Sequence, residues 1–246
     1  MPDAEIQANA EAFRSSLSTE IATNIASHKA TELEKIDASY ARLTILQAFR
    51  SHILTDLEDG AMGFFTEAQS DGLSSQVLIS AGMGRSALKS LRSISENVVR
   101  SIYYADHIVE YRLWEMEKHR PTFSSLFDYI DSHPDIRDLP DGINPSSGLR
   151  SSWKSLSNAV HASLKSIRTT KKVAEVNLWR TDKASVGQWN KAQSKLMEEV
   201  SLLYVALYRD RLSGAKATPV RKALSHTIKP AKDGEIKSSL GVNIIR

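Results

Sequence analysis

Apolar residues recur every three to four positions along most of this chain, a spacing that predicts α-helices rather than strands. β-branched alternating runs are scarce, and Gly and Pro are concentrated at a few breaks. The predicted helices cover about residues 4–33, 37–58, 74–118, 123–130, 146–168 and 186–212. Residues 169–185 are predicted as a loop or short hairpin, with weak strand candidates at Val173, Val176 and Leu178. Four to five long helices with short connections favour an all-α, antiparallel helical bundle.

Polar and glycine-containing segments mark the predicted helix boundaries. Asp37 is interpreted as the N-cap of the second helix, and Asp59-Gly60 as its end. Ser70-Asp71-Gly72 is interpreted as a turn before the long segment 74–118. Within that segment, Gly82 and Gly84 indicate either a kink or a close helix contact.

The same pattern divides the chain into three parts. Residues 1–35 are predicted as an N-terminal amphipathic helix with a thin apolar face, and residues 36–212 as the bundle domain. Residues 213–246 form a basic tail that carries seven Lys or Arg residues against two acids. We expect this tail to be flexible, either simply solvated or able to bind nucleic-acid phosphates without sequence preference.

Composition narrows the possible chemistry. The 246 residues are 41% hydrophobic and 25% charged, with a net charge of +3, which is typical of a soluble globular protein. The chain has no cysteine, so disulfides, thiolate catalysis and cysteine-bound zinc are excluded. We see no signal peptide and no apolar stretch of membrane-spanning length, and expect a cytoplasmic protein that does not bind membranes. No phosphate-loop or dinucleotide motif appears, and Asp131-Ser-His133-Pro-Asp135 is interpreted as a turn, so we expect neither cofactor nor metal.

Two predicted helices carry a polar stripe beside their apolar one. At about 100° per residue, each set of polar residues falls within a narrow arc of its helix. The first stripe consists of Arg92, Glu96, Arg100, Tyr103 and His107. The second consists of Arg150, Lys154, Ser157, His161 and Arg168. If the two helices are neighbours, the stripes can flank one shared groove.

The segment LRSISENVVRSIYYADHIVEYRLW, followed by WKSLSNAVHAS, resembles the HEPN superfamily of bacterial all-helical proteins over roughly residues 72–210. Many members of that superfamily are metal-independent endoribonucleases of toxin–antitoxin and anti-phage systems, and they are often dimeric. Their motif is an Arg, four to six variable residues and a His, which Arg100-SIYYAD-His107 fits. The resemblance implies an RNA-cleaving toxin or defence effector, working as a homodimer or with a cognate antitoxin or defence protein.

The predicted site residues follow from this chemistry. Histidine can take or donate the proton of a ribose 2′-hydroxyl, and arginine can stabilise the charge that develops on the phosphate. The candidate catalytic residues are Arg100, His107, His161, Arg92 and Glu96. The candidate RNA-binding residues are Arg150, Lys154, Arg168 and Lys222.

Structural interpretations of the same residues remain open at this stage. Arg92, Glu96 and Arg100 can form an ordinary charge ladder on a solvated face. His107 can be a surface or helix-capping residue, and His161 a partly buried one. The alternative function is a non-catalytic helical module that binds a partner protein or a nucleotide.

Overall fold

The computed structural model describes residues 3–160 and 183–246, and every regular element in these ranges is helical, which confirms the all-α prediction. The α-helices are α1 Asp3–Ser27, α2 Ala30–His52, α3 Asp59–Ser80, α4 Gly84–Asp106, α5 Ile108–Glu115, α6 Phe123–Ser132, α7 Ser146–Val160, α8 Lys183–Leu207, α9 Thr218–Ala223 and α10 Asp233–Leu240. The predicted strand candidates Val173, Val176 and Leu178 lie outside the described residues. Within the described ranges, no helix is both long and apolar enough to cross a bilayer.

Helix α4 is the central element of the bundle. It packs along α3 and also contacts α6, α7 and α8, while α2 packs against α3, α8 and α9. These helices meet in one apolar core, whose large buried side chains include Phe49, Phe65, Leu91, Val98, Phe127, Leu149, Trp189 and Leu203. The periodic apolar positions of the sequence supply this core.

A buried arginine joins α2 to α8. The Arg42 Nε donates to Gln193 Oε1 at 2.5 Å, and its Nη2 donates to Asn190. Burial lowers the pKa of this guanidinium, because the charged form loses its water shell. The side-chain amide oxygens of Gln193 and Asn190 therefore replace water as hydrogen-bond acceptors for the buried guanidinium.

The first predicted helix is divided in two in the structure. The break lies at the buried His28, whose Nε2 is 2.9 Å from the Ser80 carbonyl oxygen. Helix α2 then begins with Glu32 Oε2 accepting the Lys29 N–H at 2.9 Å. This cap replaces the predicted N-cap at Asp37, which lies inside α2.

Helix α1 leaves most of its apolar side chains unpacked. Ile6, Phe13 and Ile25 are each about half exposed, at 52%, 53% and 51%. The helix is held near its C-terminus, where Asn24 Nδ2 donates to the Ala81 carbonyl oxygen at 3.2 Å. The thin apolar face predicted for the N-terminal helix therefore lacks a covering partner among the described residues.

Two of the predicted breaks were wrong, and the reason is tertiary packing. Asp59-Gly60 begins α3 instead of ending α2. Ser70-Asp71-Gly72 lies inside α3, where Asp71 Oδ2 accepts a hydrogen bond from Asn97 of α4 at 2.9 Å. The break between α3 and α4 lies at Gly82, whose φ of 84° is in the left-handed region that favours glycine.

The C-terminal segment 213–246 is folded, in contrast to the flexible tail expected from its charge. It forms α9, α10 and short 3-10 turns. Its buried apolar side chains are Ala217, Val220, Ala223, Leu224, Ile228, Ile236, Leu240, Val242 and Ile244. Several of its charges are paired: the buried Glu198 lies 3.0 Å from Lys229 and 3.4 Å from Lys232, and Arg246 pairs with Asp233 at 2.9 Å. The apolar residues between the basic ones provide the packing that net charge alone does not reveal.

We expect Leu224→Ala to lower the free energy of unfolding by about 2–5 kcal/mol, because it removes a fully buried side chain. The nearby exposed Lys222 is the control, since Lys222→Ala should change stability by no more than about 0.5 kcal/mol. Urea unfolding followed by circular dichroism measures both variants. If Leu224→Ala lowered the free energy of unfolding as little as Lys222→Ala does, the packing of the C-terminal segment would be contradicted.

Candidate functional site

Helix α4 presents one apolar face to the core and one polar face beside it. Leu91, Val98 and Ile102 are buried, whereas Val109, which lies beyond the end of α4, is 65% exposed. The polar stripe of Arg92, Glu96, Arg100, Tyr103 and His107 follows the neighbouring face. We call this stripe the α4 face.

At the N-terminal end of the α4 face, Glu96 binds two partners. Its Oε1 lies 2.8 Å from Arg92 Nε and accepts the Trp153 indole N–H of α7 at 2.9 Å. The Arg92 guanidinium also lies 5.6 Å from the centre of the Trp153 ring. Because its charge is already paired, Arg92 is a less suitable ligand for an added anion than an unpaired arginine.

In the middle of the α4 face, Arg100 lies between aromatic rings. Its guanidinium carbon is 4.6 Å from the centre of the Phe123 ring and 5.7 Å from that of Phe64. Burial lowers the pKa of Arg100, although an arginine remains protonated at neutral pH. Within the described ranges it has no carboxylate at ion-pair distance, so this cation is held by the aromatic rings and by the more distant charge of Glu96.

The neighbouring Tyr104 is almost completely buried, with 1% of its surface exposed. Its ring stacks on Phe64 at 5.4 Å and lies near Trp114 at 6.1 Å. In the part of the chain that the structure describes, the Tyr104 hydroxyl has no hydrogen-bond partner. Burial raises the pKa of Tyr104 to about 12, against the opposing effect of the Arg100 charge.

His107 ends α4 and precedes α5, so the predicted continuous helix 74–118 is broken here as well as at Gly82. The His107 ring stacks on Tyr103, with centres 4.2 Å apart, and meets the edge of Tyr129 at 4.9 Å. Its Nδ1 lies 2.8 Å from the Tyr103 carbonyl oxygen. Because a carbonyl only accepts, Nδ1 carries the proton, and Nε2 of the neutral ring is free to accept one. His107 can therefore cap the end of α4 through Nδ1, as the sequence allowed, and still accept a proton at Nε2.

Tyr129, which contacts the His107 ring, also belongs to a polar cluster with Asp106 and His133. The Tyr129 hydroxyl donates to Asp106, whose Oδ2 also lies 3.6 Å from His133 Nε2. Burial, and to a lesser degree Asp106, raise the pKa of Tyr129, so its phenol stays protonated. His133 Nδ1 accepts the Asp135 N–H at 3.2 Å, which agrees with the turn predicted there. Among the described residues, no group of His, Asp and Glu side chains has the arrangement of a metal site.

Of the predicted RNA-binding residues, those in the described ranges lie on two helices, Arg150 and Lys154 on α7 and Lys222 on α9. Arg150 of α7 lies 2.7 Å from Asp128 and 2.6 Å from Asp131, so its charge is neutralised. Lys154, one turn later, is exposed. Lys222 lies on α9 beside α2, away from the α4 face. His161 and Arg168 lie outside the described residues.

Comparison with protein-family models, curated proteins and solved structures gives no match. The geometry of the α4 face is therefore the basis for the functional argument. Sequence reasoning selected Arg100 and His107 as candidates but did not reveal that Phe123 and Tyr129 contact them, because no periodic pattern relates α6 to α4.

The raised pKa of Tyr104 predicts a loss of stability in alkali. The phenol ionises near pH 10 in the unfolded chain and at about 12 in the folded one. Its contribution is thus complete below about pH 10 and is lost as pH rises through about 12, by about 2 kcal/mol in total. Urea unfolding across this range should show a shallower decline for Tyr104→Phe than for the unchanged protein. If the free energy of unfolding fell equally with pH in both proteins, the raised pKa of Tyr104 would be contradicted.

Proposed function

We propose that the protein is a metal-independent endoribonuclease that binds and cleaves RNA on the α4 face. The observation that carries this proposal is the presence on one face of Arg100 and His107: among the described residues, Arg100 has no carboxylate at ion-pair distance and Nε2 of His107 has no hydrogen-bond partner. Seven residues of α-helix rise about 10 Å, which is two turns, so both side chains lie on the same stretch of one face.

The chemical roles follow from these two groups. His107 Nε2 takes the proton of a ribose 2′-hydroxyl, and the 2′-oxygen attacks the adjacent phosphorus. Arg100 donates to the phosphate oxygens as negative charge develops on them. The bond to the 5′-oxygen breaks, leaving a 2′,3′-cyclic phosphate, and the 5′-oxygen takes a proton from a general acid. Protonated His107 can return the proton, and His161 is the other candidate for this step.

The biological setting we propose is that implied by the HEPN resemblance. The protein acts as a toxin or anti-phage effector, as a homodimer or together with an antitoxin or another defence protein. In this setting, cleavage of cellular RNA stops growth when the effector is released or triggered.

Expression of the unchanged protein in a bacterial host should slow growth and fragment RNA, and the purified protein should cleave RNA in the presence of a chelator. We expect His107→Ala to reduce cleavage by about 100-fold or more, as the loss of a general base does. Arg100→Gln should cost about 100- to 1,000-fold, as the loss of a donor to a developing oxyanion does. His161→Ala, tested in parallel, shows which histidine supplies the second proton.

The exposed Arg137, which follows α6, provides the matched control for Arg100, because Arg137→Gln removes a guanidinium that belongs neither to the α4 face nor to a groove of the protein. Circular dichroism establishes that all variants are folded. Cleavage that is equal in the unchanged protein, His107→Ala and Arg100→Gln would refute the proposal. Intact RNA in vitro and in phage-challenged cells would refute it as well.

Helix α1 supports a second candidate function, that of a protein-interaction module. Its exposed Ile6 and Phe13 lie on the same side of the helix, two turns apart, and exposed apolar side chains of this kind can associate with another protein. The α1 sequence carries four acidic residues and one basic residue. A partner surface for it should be apolar with a basic rim.

Such a surface exists on the same chain, which favours a second copy as the partner. A groove of about 520 Å³ between α2, α3 and α9 is lined by apolar atoms of Tyr40, Leu73 and neighbouring residues. Tyr40 and Leu73 are 58% and 54% exposed. The rim carries Lys222, His52 and His226, which complement the acidic α1. We propose that α1 of one copy binds this groove of the other.

Light scattering during size exclusion should show a dimer for the full chain and a monomer after removal of residues 1–26. Phe13→Asp should weaken the dimer by placing a charge in the apolar contact, and Lys222→Glu should weaken it by repelling the acidic helix. Glu110→Lys, a change on α5 outside the groove, is the control. A full chain that is monomeric at micromolar concentration, or a truncated chain that stays dimeric, would exclude this mode of association.

A further inference from the structure

An exposed apolar surface extends beyond the groove between α2, α3 and α9. Leu33 of α2 and Val77 of α3 are 44% and 67% exposed, and neither of them lines the groove. Leu33 lies two helical turns before the groove residue Tyr40, and Val77 lies one turn after the groove residue Leu73. Each pair therefore shares one side of its helix. We call Leu33, Tyr40, Leu73 and Val77 the α2–α3 stripe.

The two helices that carry the stripe are adjacent and antiparallel. Gln76 Nε2 donates to the Ile36 carbonyl oxygen at 2.7 Å, and Gln69 Nε2 donates to Gln47 Oε1 at 3.2 Å. Residue numbers thus rise along one helix as they fall along the other. The four side chains form one patch that the described residues leave largely exposed, and patches of this kind mark contacts with another protein.

The spacing of apolar residues in α1 matches that of the stripe. Ile6 and Phe13 are seven residues apart, as are Leu33 and Tyr40, and seven residues of helix rise about 10 Å. A helix lying along α2 can therefore bring both of its apolar side chains into contact with the stripe at once. The chain holds its own α1 at Asn24, near the C-terminus of that helix, and leaves Ile6 and Phe13 about half exposed for a second copy.

Charge distinguishes the two possible directions of α1 on the stripe. The basic rim of the groove lies beyond Tyr40, at the end of the stripe away from Leu33. In the α1 sequence, the acids Asp3 and Glu5 precede Ile6, whereas the charges that follow Phe13 are one arginine and one glutamate. Attraction between opposite charges favours the direction in which the acidic N-terminal end of α1 meets the basic rim.

We propose that α1 of a second copy lies antiparallel to α2 along the α2–α3 stripe, with Ile6 against Tyr40 and Phe13 against Leu33. Val77 contacts the same helix from the α3 side. This inference rests on the association through α1 proposed above and extends its contact to a surface outside the groove. In a two-fold symmetric dimer the exchange is reciprocal, because each copy gives its α1 to the other.

The chain has no cysteine, so pairs of introduced cysteines report the direction of α1 without background. We expect Ile6→Cys combined with Tyr40→Cys, and Phe13→Cys combined with Leu33→Cys, to form covalent dimers under mild oxidation, seen on non-reducing gels. The exchanged pairs, Ile6→Cys with Leu33→Cys and Phe13→Cys with Tyr40→Cys, are the matched controls. Their residues are offset by about two turns in the proposed direction, beyond the reach of a disulfide. Single-cysteine variants report chance collisions.

Val77→Asp tests the part of the contact that lies outside the groove. We expect it to weaken the dimer about 10-fold or more, because the apolar contact would then bury an unpaired charge. Val109→Asp is the control, since Val109 is exposed to a similar degree on α5, away from the stripe. Light scattering over a dilution series measures both variants. Equal dimerisation of Val77→Asp and the unchanged protein would confine the contact to the groove and overturn the inference.

The remaining outcomes separate this inference from the association on which it rests. A dimer in which the exchanged cysteine pairs form disulfides, or in which no pair does, overturns the inference and leaves the association intact. Disulfides within one chain, seen as monomers of increased mobility, also overturn it, because α1 would then lie on its own stripe. A full chain that is monomeric at micromolar concentration refutes both.

Discussion

Helix α4 contacts α3, α6, α7 and α8 at once, and this crowding decides which of its charged side chains can have partners. A polar group in such a position needs a hydrogen bond or an opposite charge, since its loss of water is otherwise uncompensated. α7 provides the Trp153 indole for Glu96, and Glu96 in turn pairs with Arg92. α6 offers Arg100 only the Phe123 ring. Two arginines of one stripe thus differ in their partners: Arg92 is paired with Glu96, whereas Arg100 packs against aromatic rings.

The end of α4 determines the chemistry of His107. The last four carbonyl groups of a helix have no N–H partner within that helix. At this end the Tyr103 carbonyl oxygen accepts from Nδ1 of the His107 ring, which fixes the tautomer of the neutral ring. Stacking on Tyr103 and the edge contact with Tyr129 hold the ring in place. A helix continued without a break to residue 118 would supply a backbone N–H to that carbonyl, and the ring would lose this restraint.

Periodicity in the sequence predicted the helices and the α4 face, because both depend on positions within one element. It did not predict the partners of that face. Phe123 and Tyr129 contact α4 because the connection after α5 places α6 beside it, and local spacing does not encode that placement. The C-terminal segment illustrates a different error: its net charge suggested flexibility, whereas the packing of Leu224 and other apolar residues determines its structure. Asp71 shows how a local turn signal yields to a tertiary hydrogen bond.

The position of α1 bears on how association and chemistry are related. α1 is anchored through His28 and Asn24 to Ser80 and Ala81, at the turn that precedes α4. From Gly84 at the start of α4 to Arg100, sixteen residues of helix rise about 24 Å. A partner bound at the root of α1 therefore lies at the opposite end of α4 from Arg100 and His107. It can influence the proposed RNA cleavage through the packing of α4 or by bringing two α4 faces together, but direct contact with Arg100 from the anchor is excluded by distance.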